Sequence, residues 1–387
     1  METNKDLWRK RLAVAAYYFV PGVVFASWAS RIPDVKHMLG LSNGQLGSVL
    51  FAIPIGQLLM MAFSGVLVNK FGSKKMLVVA EVLYVLVLFS IGSSASVFHL
   101  ILSLVAFGMM ANLMNIATNT QACLVEKMYG RNIMSSFHGL WSLGGFAGGI
   151  IGAVFANTML PIEIHFCFIL AMGLIVIALG FRYLVNDTTA KAEEEGVPKF
   201  SFKTIDPVLF LLGLMGFAGM FCEGTVYDWS GVYFSSVVKP DEAFIRAGYV
   251  AGMGAMTLGR FLADGFVTKY GPSRVLKICG GLIVGGLWLA AALPYLVPAT
   301  LGFLLVGFGI SSSVPICYSI AGKLGTVKAS IAITIVSSIS FFGFLVGPPV
   351  IGWLSEATNL RIAISIAACL GLMIAFISVK VSKSLSN

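Results

Sequence analysis

Twelve apolar runs, most of them close to the roughly 20 residues a helix needs to cross a lipid hydrocarbon core, follow one another from Leu12 almost to the end of this 387-residue chain. Their bounds read as 12–30, 45–68, 76–94, 97–121, 133–157, 163–184, 207–229, 244–264, 275–297, 299–321, 329–353 and 360–380. Hydrocarbon leaves a backbone only two ways to satisfy its N–H and C=O groups, the helix and the closed barrel. The 43 glycines favour helices, because small residues let membrane helices approach closely and no period-two alternation marks barrel strands. Only 11% of the residues are charged and 58% are hydrophobic, against roughly a quarter charged in soluble domains. The expected fold class is an all-α membrane protein, with twelve transmembrane helices in two six-helix pseudo-symmetric bundles.

The N-terminus imitates a secretory signal, with Lys5, Arg9, Lys10 and Arg11 ahead of an apolar stretch. That stretch, 12–29, is longer than a signal core and eleven more follow it, so it reads as an uncleaved first helix. If the N-terminus is cytoplasmic, the inner segments hold 20 of the 26 lysines and arginines and the outer segments hold 5. The positive-inside rule then places both termini in the cytoplasm, and a multi-pass protein of the bacterial inner membrane is the expected localisation. The net charge of +9 therefore reports topology and gives no reason to expect nucleic acid as a partner. Six cysteines show no CxxC spacing, so no disulfide framework, metal or cofactor is expected.

The longest polar stretch between runs, 186–206, includes Glu193, Glu194 and Glu195 and divides six runs from six. The expected domains are a six-helix bundle over 1–185, a cytoplasmic linker over 186–206 and a second bundle over 207–387. An internal echo supports the division. Lys70, Phe71, Gly72, Ser73 and Lys74 after the second run match Lys269, Tyr270, Gly271, Pro272 and Ser273 after the eighth, 199 residues later. Parallel repeats with a solute site at their interface are a transporter architecture.

Gly65, Leu67, Gly72, Lys74 and Lys75 resemble the loop signature of the major facilitator superfamily between helices two and three. The signature's acidic residue is Asn69 here, so the charge lock of that loop departs from the pattern. Gly259, Arg260, Phe261, Ala263 and Asp264 look like the equivalent region in the second half, with Arg260 and Asp264 at i, i+4 on one helix face. Lys74, Lys75, Arg260 and Asp264 are accordingly expected to act in gating. Three further stretches, FASWASRIPD (25–34), EGTVYDWSG (223–231) and GFLVGPPVIG (343–352), resemble the branch near the fucose permeases and their bacterial relatives. What that resemblance implies is proton-coupled uptake, or symport, of a sugar or similar small polar solute.

Ionisable residues inside a span are costly unless they face a cavity or a partner, which makes each a functional candidate. Glu223 lies near the middle of the seventh run, and Tyr227 and Ser230 share its face at i+4 and i+7. It is the candidate proton carrier, the alternative being a structural acid bonded to a neighbouring helix. Asp228 is read as a second coupling candidate or as an outer-gate acid pairing with Arg31. Glu81, about 9 Å beyond Lys75 along its helix, is read as an anchor reaching the cytoplasmic interface or a basic partner.

Helix four carries a polar stripe of Asn112, Asn115 and Asn119, and helix five answers with Ser135, His138 and Ser142 beside Trp141. Amides donate and accept without carrying charge, which suits a neutral hydroxyl-bearing or amide-bearing solute; interhelical bonding is the alternative. Gln57, Trp28, Ser312, Ser337 and Tyr227 complete the candidate solute-binding set, and His138 is a candidate proton relay. The glycines Gly144, Gly145, Gly148, Gly149 and Gly152 of helix five read as close helix packing.

Neither a GxxxxGK[ST] loop nor a Ser/His/Asp or HExxH arrangement at useful spacing is present in the sequence. The chain is expected not to be an enzyme but a secondary transporter, a monomer whose partners are a small solute, a proton and the lipid bilayer. The competing readings are an efflux antiporter for amphipathic compounds and a non-transporting membrane sensor.

Overall fold

The computed structural model describes residues 4–130, 133–158, 160–187, 206–324 and 329–386. They are helical almost throughout. Most of the 186–206 linker lies outside the described residues. In order, the helices are α1 (Asn4–Met38), α2 (Asn43–Leu50), α3 (Ala52–Phe71), α4 (Ser73–Gly92), α5 (Val97–Tyr129), α6 (Met134–Asn157) and α7 (Ile162–Gly180). After the linker come α8 (Pro207–Gly224), α9 (Ser230–Tyr233), α10 (Ala247–Tyr270), α11 (Pro272–Ala292), α12 (Leu296–Lys323), α13 (Ala329–Ala357) and α14 (Leu360–Ser386). Eleven stretches among the described residues are long and apolar enough to cross a membrane. The remaining long helix, α10, has 24 residues and carries Arg260 and Lys269.

Local chemistry sets the helix ends. Ser96 caps α5 by accepting from the His99 N–H, and Asp206 caps α8 by accepting from the Val208 N–H. Gly72 and Gly271, the two glycines of the internal echo, turn the chain at φ 85° and 79°, a region in which L side chains are strained.

The chain falls into two compact units, 1–40 with 49–194 and 41–48 with 195–387. In the first, α1 packs on α6, and α5 lies against both α3 and α4. Gly144 of α6 meets the Phe19 carbonyl of α1, and Gly22 of α1 meets the Trp141 carbonyl of α6. The glycine-rich stripe thus serves backbone-to-backbone approach, as its spacing predicts. In the second unit α8 packs on α13, and α12 lies between α10 and α11. The short α2 is grouped here. Asn43 donates to the Ser355 hydroxyl at 2.7 Å, the Gly44 N–H to the Glu356 carboxylate at 3.1 Å, and Trp353 to the Ser48 hydroxyl at 3.1 Å. The break between α2 and α3 at Phe51 falls just ahead of Pro54, whose missing N–H and ring disrupt the helix at the preceding turn.

Candidate functional site

Each unit holds a polar grouping within its spans. In the second unit, α8 runs into a π-helical turn at Thr225–Trp229, a feature that recurs at functional sites. Just before it, Glu223 Oε1 accepts from the Tyr227 hydroxyl at 3.0 Å and from Arg260 Nη2 of α10 at 3.3 Å. The Glu223 side chain is 14% exposed and that of Arg260 26%, so both remain reachable without being fully solvated.

Tyr227 stands where the i+4 spacing puts it, but Ser230 does not join Glu223: its hydroxyl donates to the Val226 carbonyl at 2.5 Å. The i+7 expectation assumed 3.6 residues per turn, and the intervening π turn widens the helix and slips the register. Arg260 makes its described ion pair across helices, to Glu223. The Asp264 side chain, its expected i+4 partner, lies outside the described residues. Asp228 is buried and within electrostatic reach of Tyr249 on α10. The Tyr249 hydroxyl meets no hydrogen-bond partner among the described residues, and its ring lies 6.3 Å from that of Tyr227.

In the first unit the asparagine stripe splits in two. Asn119 accepts from the Tyr18 hydroxyl of α1 at 2.7 Å and donates to the Asn115 side chain at 3.1 Å. Asn112 instead accepts from Ser64 of α3 at 2.7 Å, an interhelical bond. His138 is exposed, with its ring edge-on to Tyr18 at 5.3 Å. Trp141 lies 6.4 Å from the Phe25 ring, and the buried Ser142 hydroxyl points to the His138 carbonyl at 3.4 Å. The Ser135 side chain lies outside the described residues. Gln57 Oε1 and the Trp28 indole N–H are buried and meet no hydrogen-bond partner among the described residues, which leaves polar capacity to be satisfied. Ser312 is buried 3.1 Å from the Ser311 hydroxyl, and Ser337 donates to the Thr334 carbonyl of its own helix.

Arg31, read as a partner for Asp228, makes its described ion pair one turn along α1, with Asp34 at 3.0 Å, and its Nε lies 3.3 Å from His165 Nδ1. At the other end of the unit, the first N–H groups of α4, at Ser73 and Lys74, donate to the Asp187 carboxylate at 2.8 and 3.5 Å. Where the loop signature loses its acid to Asn69, a carboxylate from far along the chain meets the helix N-terminus. Gln121 completes this knot, donating to Ser73 and to the Val185 carbonyl and accepting from the Val185 N–H. The Lys74 ammonium sits 4.6 Å from the Phe181 ring centroid and Lys75 is exposed. Neither Asp187 nor Gln121 was marked by any sequence spacing. Among the described residues, no group of three or more His, Cys, Asp or Glu side chains is arranged to hold a metal ion.

The family model described as the Major Facilitator Superfamily matches residues 14–326. A Yersinia pestis protein named as an uncharacterized MFS-type transporter is 31% identical over 362 residues, covering 92% of each chain. Among solved structures, the nucleoside transporter NupG matches with a TM-score of 0.72 at 15% identity, over 97% of this chain and 99% of that one. A D-xylose-proton symporter matches with a TM-score of 0.75 at 15% identity, over 96% and 97%. The glycine turn with its lysines after α3, its echo after α10, the helical spans and a family match over most of the length converge: the chain belongs to the major facilitator superfamily, and is a multi-pass membrane transporter rather than an enzyme.

Proposed function

We propose that the chain is a proton-coupled secondary transporter that takes up a small polar solute, a sugar or sugar-like metabolite, by alternating access between two halves of six spans each. It works in the inner membrane with both termini in the cytoplasm, an orientation supported by the excess of basic residues in the inner segments. The observation that carries the coupling is the Glu223 carboxylate held by Arg260 and Tyr227 within a membrane span. A proton arriving on Glu223 cancels the charge that attracts Arg260, so protonation and the position of a cation on another helix become linked. The linkage lets a proton gradient bias which conformation is populated.

The solute class is supported by residues that bind without charge. Asn115, Asn119, Tyr18, Gln57 and Trp28 offer amide, hydroxyl and aromatic groups suited to a hydroxylated ligand. The two fold neighbours named for D-xylose and nucleosides both carry solutes that bear sugar hydroxyls.

Glu223→Gln mimics the protonated carboxyl. In liposomes it is expected to keep solute exchange between equal pools and to lose accumulation driven by a pH gradient, because exchange needs no net proton movement. Full gradient-driven accumulation by the Gln variant would remove Glu223 from the coupling and move attention to Asp228 or His138.

A further inference from the structure

Glu81 of α4 has no part in the coupling described above. It does not reach the cytoplasmic interface, as its distance from Lys75 suggested: its exposure is 0%, and neither carboxyl oxygen meets a hydrogen-bond partner among the described residues. Helix α4 packs against α5, α7, α1 and α3, and this cover, not depth along the helix, decides the burial.

Among the described residues, the titratable groups on those helices bring no cation to Glu81. On α1, Lys5, Arg9, Lys10 and Arg11 precede Tyr17 by six or more residues and Arg31, Lys36 and His37 follow it by fourteen or more, about 9 and 21 Å or more along the helix. Lys70 of α3 is exposed over the Phe71 ring. From α1, Tyr17 lies within electrostatic reach of Glu81, and its hydroxyl is committed to the Ile177 carbonyl of α7 at 2.9 Å. On α4 itself, Lys74 sits over the Phe181 ring, Lys75 is exposed about 9 Å away along the axis, and Tyr84 stacks on Phe107. On α5, Gln121 is level with Ser73, so Cys123, Glu126 and Lys127 lie beyond it, away from Glu81, and His99 is near the opposite end. On α7, Glu163, His165 and Cys167 precede Ile177 by ten or more residues, about 15 Å or more along the helix. Among the described residues no cluster of metal-ligating side chains surrounds Glu81, and hard cations take six or more oxygen ligands.

An ionised carboxylate without a partner in such a place is strongly disfavoured, whereas the neutral acid is tolerated. We propose that Glu81 is a proton-binding site built into the first unit: its carboxyl is carried as a neutral acid, and the proton reaches water only when α4 parts from α1 and α7. The inference is independent of the coupling assigned to Glu223.

Infrared spectroscopy of the purified protein at neutral pH tests it. The wild type should show the carbonyl stretch of a protonated carboxylic acid, part of which disappears in Glu81→Gln, and that part should shift slowly after transfer to deuterium oxide. Glu81→Gln and Glu81→Leu should both fold with melting temperatures at or above the wild type, because a neutral acid without a partner is replaceable by an amide or an apolar side chain. Identical acid-band spectra for wild type and Gln variant would overturn the proposal, as would an immediate deuterium shift or the failure of both variants to fold.

Discussion

Arg260→Met is expected to be among the most damaging single substitutions in the second unit, and adding Glu223→Gln should restore much of what it removes. The Glu223 carboxylate at 14% exposure has Arg260 at 3.3 Å as its described cation. Removing one partner of a buried pair leaves an uncompensated charge and costs about 3–5 kcal/mol, while replacing both by neutral groups is often near neutral. Partial exposure of Arg260, 26%, brings the expected loss toward the lower end of that range. Thermal melts of the single and double variants in detergent measure the coupling directly. Strictly additive losses would mean that the pair is not an energetic unit.

The second large effect is expected at the α1–α6 contact. Gly144 faces the Phe19 carbonyl with no room for a side chain, and the obstructing atoms are backbone, which cannot rotate aside. Overpacking a core typically costs about 1–3 kcal/mol and more where nothing can yield, so Gly144→Leu should prevent the first unit from assembling. Gly285 of α11 has nothing within 4 Å of an added Cβ. Gly285→Ala should instead raise stability by roughly 0.5–1 kcal/mol, the usual helix-interior difference between the two residues. Expression and melting temperature distinguish the pair, and equal behaviour of the two variants would contradict the close approach of α1 and α6.

The helices were legible because apolar runs near the membrane thickness leave a backbone little choice, and the glycine turns because both copies of the repeat carry them. Features that depend on neighbours were not. The π turn at Thr225–Trp229 has no compositional mark, yet it removes Ser230 from the face that simple helical spacing assigned to it. The asparagine stripe was visible as a stripe, but its division into Asn112 bonded to Ser64 and Asn119 bonded to Tyr18 depends on which helices lie alongside. Glu223 was found because an acid in a span is conspicuous. Its bond to Arg260, 37 residues away, was not visible, because sequence spacing sees only one helix at a time. Asp187 and Gln121 were missed for the same reason: their bonds to Ser73 span 114 and 48 residues.

Proton movement accompanying solute movement is the central claim, and it is measured most directly with a pH-sensitive dye trapped inside liposomes that carry the purified protein. A panel of pentoses, hexoses and nucleosides is added outside with no imposed gradient, and radiolabelled uptake is followed in the same vesicles. The account predicts that a solute carried inward acidifies the interior in wild-type vesicles, and that the Glu223→Gln variant exchanges the same solute without changing internal pH. Solute entry in wild-type vesicles with no change in internal pH would contradict it.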